Sequence, residues 1–108
     1  MAYDEALADR IRATIGRDKA LTERKMFGGL AFLINGNMSV AASGQGGLLV
    51  RVDPDASDEL VRTTTAQLME MRGRSMAGWL RVAPRTDAEL REWVERGVAY
   101  ARALPPKK

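Results

Sequence analysis

Residues 30–42 read LAFLINGNMSVAA. Two apolar runs flank Asn35-Gly36, and Asn-Gly between such runs is the preferred two-residue type I′ turn, because both central residues need positive φ. The stretch therefore predicts a β-hairpin of strands 30–34 and 37–42. A two-residue loop pairs Leu33 with Met38 and Ala31 with Val40, which puts those four apolar side chains on one face. Leu30, Phe32 and Ile34 then share the other face with Ala41, Ser39 and Asn37. On this register the first face reads as fully buried and the second as mixed.

Upstream, residues 22–27 read as a strand running into Gly28-Gly29. A glycine pair raises the question of a phosphate cradle. Such a loop needs a helix behind it and a Lys-Ser or Lys-Thr within it, so that free N–H groups and the helix dipole meet the anion. Here a strand follows, and that dipeptide is missing. SGQGG at 43–47 likewise precedes a strand. Gly28-Gly29 is read as a turn or bulge that re-aims the chain between strands.

The hairpin sits in a longer alternation of elements. Tyr3, Leu7, Ile11 and Ile15 recur at four-residue spacing with Ala8 beside them, a helix over 3–15 that Gly16 stops. LLVRV at 48–52 is a strand with Leu48, Val50 and Val52 on one face and Leu49 and Arg51 on the other. Asp53 then caps a helix over 54–64, with Pro54 at its first position and Leu60 and Val61 turned inward. Residues 67–82 are strand-like in two pieces, broken at Gly73 and Gly78 and ending in a strand 79–82. Thr86 and Glu89 form a capping box for the last helix, whose stripe holds Leu90, Val94, Val98 and Ala101, with Trp93, Gly97, Tyr100 and Leu104 beside it. Asp87 with Arg91 and Glu92 with Arg96 read as exposed i,i+4 pairs. Gly97 on the apolar side signals a close backbone approach. The order implies one α+β domain over 1–108. It is an antiparallel β-sheet meander with three helices packed mainly on one face, a core from about 3 to 104, and a frayed tail at 105–108.

Composition narrows the chemistry. The chain carries no cysteine and no histidine, which removes thiol nucleophiles, disulfides, the commonest general base and most zinc sites. Ser39, Ser43, Ser57 and Ser75 have no activating partner in view, and DPDASDE at 53–59 reads as a capped helix start and not as a metal loop. The expectation is no enzyme, no cofactor and no metal. The N-terminus MAYDEALADR lacks the basic start and apolar stretch of a signal peptide, and no apolar run is long enough to span a membrane, so a cytoplasmic protein is expected. Met26, Met38, Met69, Met71 and Met76 read as core filling in a chain with two phenylalanines. Seventeen Lys and Arg against 14 Asp and Glu give a net charge of +3. Interspersed signs suit an ordinary solvated surface. Arg24, Lys25, Arg51, Arg72, Arg74 and Arg81 are the candidate interaction surface, the cations that a phosphate or a protein carboxylate would meet. Arg85 lies close by in sequence.

KMFGGLAFLINGNM at 25–38, GLLVRVD at 47–53 and GRSMAGWLRV at 73–82 together resemble the TfoX N-terminal domain of the TfoX/Sxy family. The motif residues are Met26, Phe27, Gly28, Gly29, Asn35, Gly36, Met76, Gly78 and Trp79, with Arg51 to Asp53. The resemblance runs from about residue 3 to 105. It implies the α+β fold and no catalytic residues. It also implies a regulatory setting, since TfoX/Sxy proteins promote DNA-uptake competence in bacteria together with a cyclic-AMP receptor protein. Those regulators carry a second domain that this chain does not reach. The expected function is a non-enzymatic interaction module acting through protein–protein contacts, with a homodimer formed through a strand such as 48–52. The alternatives are direct nucleic-acid binding through the arginines and a small-ligand site between sheet and helices.

Overall fold

The computed structural model describes residues 4–26, 29–44, 47–64, 66–71 and 73–106, with the backbone alone at 26, 71 and 74–76. In chain order the elements are α1 (Glu5–Ile15), β1 (Leu21–Met26), β2 (Gly29–Ile34), β3 (Asn37–Ala42), β4 (Leu48–Arg51), α2 (Pro54–Thr63), β5 (Gln67–Met71), β6 (Arg74–Val82) and α3 (Asp87–Ala103). The strands make one antiparallel sheet in the order β1-β2-β3-β4-β6-β5. The α+β architecture expected from the sequence is the one observed.

Local chemistry sets the element ends. Asp4 caps α1 by accepting the Leu7 N–H at 3.1 Å, and Asp53 caps α2 by accepting the Asp55 N–H at 2.9 Å. Thr86 caps α3 by accepting the Glu89 N–H at 3.1 Å. The return bond of that capping box comes from the Arg85 N–H to the Glu89 carboxylate, one residue earlier than the motif predicts. Asn35 and Gly36 adopt φ of 53° and 82°, as the hairpin turn requires.

The hairpin register differs from expectation after Leu33↔Met38. Phe32 faces Val40 and Ala31 faces Ala41, so Ser39 is an extra residue in β3. The Ser39 hydroxyl donates to the Phe32 carbonyl at 2.7 Å. Its own carbonyl turns toward α3, where a Cβ on Gly97 would lie 2.6 Å from it. The bulge moves Val40 onto the face of Phe32 and sends Ala41 to the face of Ala31. The predicted faces therefore exchange these two residues. Gly97 does serve a close approach, as its place on the apolar stripe suggested.

Three further expectations are corrected. Strand 48–52 is not an edge, because β4 lies between β3 and β6; the sheet edges are β1 and β5. Gly78 does not break a strand. It lies inside β6 with φ of 87°, and there β6 carries extra residues relative to β5, whose pairing passes from Leu68↔Leu80 to Met69↔Met76. Asp87 pairs with Arg10 of α1 at 2.6 Å, tying two helices together, where an intrahelical bond to Arg91 was expected. Glu92 and Arg96 do pair, at 3.7 Å.

All three helices cover one face. The main core joins Leu30, Phe32, Val40, Leu48, Val50 and Leu80 of the sheet to Leu7 and Ile11 of α1, to Leu90, Trp93 and Val94 of α3, and to the half-buried Leu60 and Val61 of α2. Among the described residues a second buried cluster consists of strand residues: Ala31, Leu33, Met38, Ala41, Leu49 and Met69, with Trp79 against it. Met38 and Met69 thus fill core, as expected; the side chains of Met26, Met71 and Met76 lie outside the described residues. Beyond α3, the Pro105 carbonyl accepts the Asn37 side-chain N–H at 2.9 Å.

Candidate interaction surface

Strand alternation decides where each candidate cation stands. Arg24 faces Ala31 and belongs to the helix-free side, whereas Lys25 faces Leu30 and belongs to the helix-covered side. One row then crosses the helix-free face strand by strand: Arg24, Ala31, Ala41, Leu49, Arg81 and Gln67. Its centre is small and apolar, and arginines stand toward both ends. Four strand steps of about 4.8 Å separate Arg24 from Arg81, roughly 19 Å. The sheet thus brings Arg24, Arg51 and Arg81 to one face, with Arg24 far from the other two and Arg51 diagonal to Arg81 across β4 and β6. Arg72 lies outside the described residues, as does the side chain of Arg74, which opens β6 after the turn at Gly73. The Arg81 guanidinium donates to the Ser43 hydroxyl at 3.2 Å.

Arg51 is different. The pairing of β3 with β4 runs from Ala42↔Leu48 to Val40↔Val50 and stops there, beside the Ser39 bulge. Arg51 is the next residue, where the two strands part. Its guanidinium lies 5.4 Å from the centroid of the Trp79 ring, its cross-strand neighbour on β6, and 5.7 Å from that of Tyr100 on α3. Both rings present electron-rich faces to a cation. Arg51, Trp79 and Tyr100 are all half-buried. Among the described residues Arg51 makes no ion pair, and the two rings hold its guanidinium in place.

The same pairing of arginine with aromatic recurs elsewhere. Arg96 stacks on Trp93 at 4.7 Å and Arg12 lies 5.9 Å from Phe32. Arg12 also holds Glu23 of β1 through two hydrogen bonds of 2.7 and 2.8 Å. Those bonds keep the Glu23 carboxyl below its ordinary value against a smaller opposing effect of burial. Asp18 is lowered likewise by the Arg102 guanidinium and then by the Ala20 N–H. Through these two carboxylates α1 holds the edge strand β1 and α3 holds the turn before it.

The Ser57 hydroxyl donates to the Pro54 carbonyl and Ser39 to Phe32, so both serve local structure. Among the described residues no three acidic side chains gather as a metal site would need. A groove of about 560 Å³ runs between α1 and α3, floored by Ile15, Val94 and Val98 with Glu95 and Arg102 in its wall. It lies between helices and not between sheet and helices. No helix among the described residues is long and apolar enough to cross a membrane.

Gly29, the described half of the glycine pair, is the first residue of β2 and faces Met26. A side chain there would run into the backbone of Ala42 at the end of β3 and of Gly44 just beyond it. Its glycine serves a tight strand approach; Phe27 and Gly28 lie outside the described residues. The sequence singled out Arg51 and Trp79 for charge and motif, but not Tyr100, whose part depends on how α3 crosses the sheet.

Over residues 15–101 the sequence matches the family model of the TfoX N-terminal domain. No curated protein and no solved structure matches the chain.

Proposed function

The chain belongs to the TfoX N-terminal domain family, and from that premise we propose that it is a non-enzymatic interaction module that works through protein–protein contacts. The role is regulatory, of the competence type that the family resemblance implies. The contact is centred on Arg51 and Trp79. The observation that carries this reading is the half-buried cluster of Arg51, Trp79 and Tyr100 beside the apolar second cluster. Tryptophan, tyrosine and arginine are the residues that dominate binding energy at protein interfaces, each offering a large ordered surface with a polar edge. Here the guanidinium is already held between rings, so little side-chain freedom is lost when a partner binds it.

The test is quantitative capture of partners from the native cell on immobilised domain, read by mass spectrometry after nuclease treatment. Trp79→Ala and Arg51→Ala should each weaken retention of a specific partner at least tenfold, while Arg62→Ala on exposed α2 should not. An identical set of captured proteins for all variants would refute the reading. Arg24, Arg51 and Arg81 on one face keep direct nucleic-acid binding as the second reading. It predicts retardation of DNA or RNA at low salt that is lost steeply as salt rises.

A further inference from the structure

We propose that β1 is the contact through which a second copy of this chain adds to the sheet. Among the described residues β1 pairs with β2 on one side and with no strand on the other. The Asn35 N–H donates to the Ala20 carbonyl at 2.9 Å. Continued along the β1–β2 register, this places the hydrogen-bonded pairs at Thr22, Arg24 and Met26, and aims the backbone groups of Glu23 and Lys25 off the open edge. α1 packs mainly on α3 and β3 and reaches β1 through Arg12.

The side chains select one register for an antiparallel pair of copies. With Arg24 on the two-fold axis, Glu23 of each copy lies opposite Lys25 of the other. Each such pair exchanges two backbone hydrogen bonds and sets opposite charges face to face. A shift by two residues places Glu23 opposite Glu23 or Lys25 opposite Lys25. A shift by one puts the helix-covered face of one copy beside the helix-free face of the other. Charges in mid-strand normally blunt an edge against foreign strands. These charges do so while complementing their own copy. Arg12 holds the Glu23 carboxylate from within the chain, which fixes its place before the second copy arrives. The two Arg24 side chains oppose each other in the open, where solvent and salt screen them.

This deepens the reading as an interaction module by naming a self-contact on a strand away from Arg51 and Trp79. Its variants leave that cluster intact, so the two readings fail separately. The chain has no cysteine, so single cysteines report the register directly. Directly opposite residues of the non-hydrogen-bonded kind have Cα atoms about 4.5 Å apart, within disulfide reach. Arg24→Cys should therefore cross-link to a covalent dimer under mild oxidation at least tenfold faster than Thr22→Cys, whose two copies lie roughly 14 Å apart. Adding Lys25→Glu to Arg24→Cys should slow cross-linking tenfold, and the exchange Glu23→Lys with Lys25→Glu should restore it. Circular dichroism on each variant verifies the fold. Equal rates at 22 and 24, or no dependence on the charge at 25, would overturn the proposal.

Discussion

Phe32 and Leu33 are neighbours on β2 and stand on opposite faces of one sheet, yet they leave solvent by different means. Phe32 lies under the helices, with α1 and α3 in the same cluster. Leu33 belongs to a cluster whose described members are all strand residues. The helix-covered side joins elements distant in sequence and is where the fold is held. The helix-free side is narrow in its centre, where Ala31 faces Ala41, and ends in arginines and a tryptophan. Among the described residues no helix residue joins that second cluster, and this difference underlies the functional reading.

The comparison breaks first on stability. Phe32→Ala should cost about 3–5 kcal/mol, the range for removing a fully buried aromatic side chain and leaving a cavity. Leu33→Ala, with 8% of the residue already exposed, should cost about 2 kcal/mol, near the lower end for leucine. Urea denaturation of both variants measures the pair. Equal losses would mean that the helix-free face holds the fold as firmly as the covered one.

Gly97→Ala is the next effect in size. At an exposed helical site this change stabilises by about 1 kcal/mol. Here the added Cβ would stand 2.6 Å from the Ser39 carbonyl and 2.8 Å from Val40 Cγ1, and overpacking of that kind costs roughly 1–3 kcal/mol. A net loss of about 1 kcal/mol in thermal denaturation is expected. A gain would show that α3 shifts freely over the bulge.

That bulge marks the limit of what the sequence discloses. Asn35-Gly36 announced the hairpin because the signal is local: both residues must accept positive φ. The register beyond Leu33 was hidden, because Ser39 is displaced against a helix that arrives from the far end of the chain. The order of strands was hidden for the same reason. LLVR has the composition of any half-buried strand, and only β6 pairing with β4 makes it internal. Helix caps at Asp53 and Thr86 were legible because each acts within three residues. Arg51 could be marked as a cation, but its clamp needs β4, β6 and α3 together, and Tyr100 looked like one more member of an apolar stripe. Asp87 had Arg91 within reach on its own helix, and Arg10 of α1 took it instead.

Arg51→Ala sharpens the contrast from the other direction. Its stacking on two rings should be worth no more than about 1 kcal/mol to folding at a half-exposed site. Partner retention should nevertheless fall tenfold or more. A large loss of stability, read by urea denaturation, would make the cluster a structural clamp and not a contact.

Acid provides the smallest effect and probes the seam between the two faces. Glu23 and Asp18 titrate below their ordinary values because Arg12 and Arg102 donate to them. A lowered carboxyl binds its proton more weakly in the folded chain, so the unfolded chain takes up protons first. Both pairs therefore contribute in full above the ordinary carboxylate range. Their contribution fades as pH falls through that range, from about pH 5 downward, and is gone below the folded values. Both pairs are solvent-screened, so Glu23→Gln should lower stability near neutrality by no more than a few tenths of a kcal/mol. Its melting temperature should also fall less between pH 6 and pH 3 than that of the unaltered chain. If the two curves stay parallel, Arg12 does not hold Glu23 in solution, and the edge strand is less fixed than the structure shows.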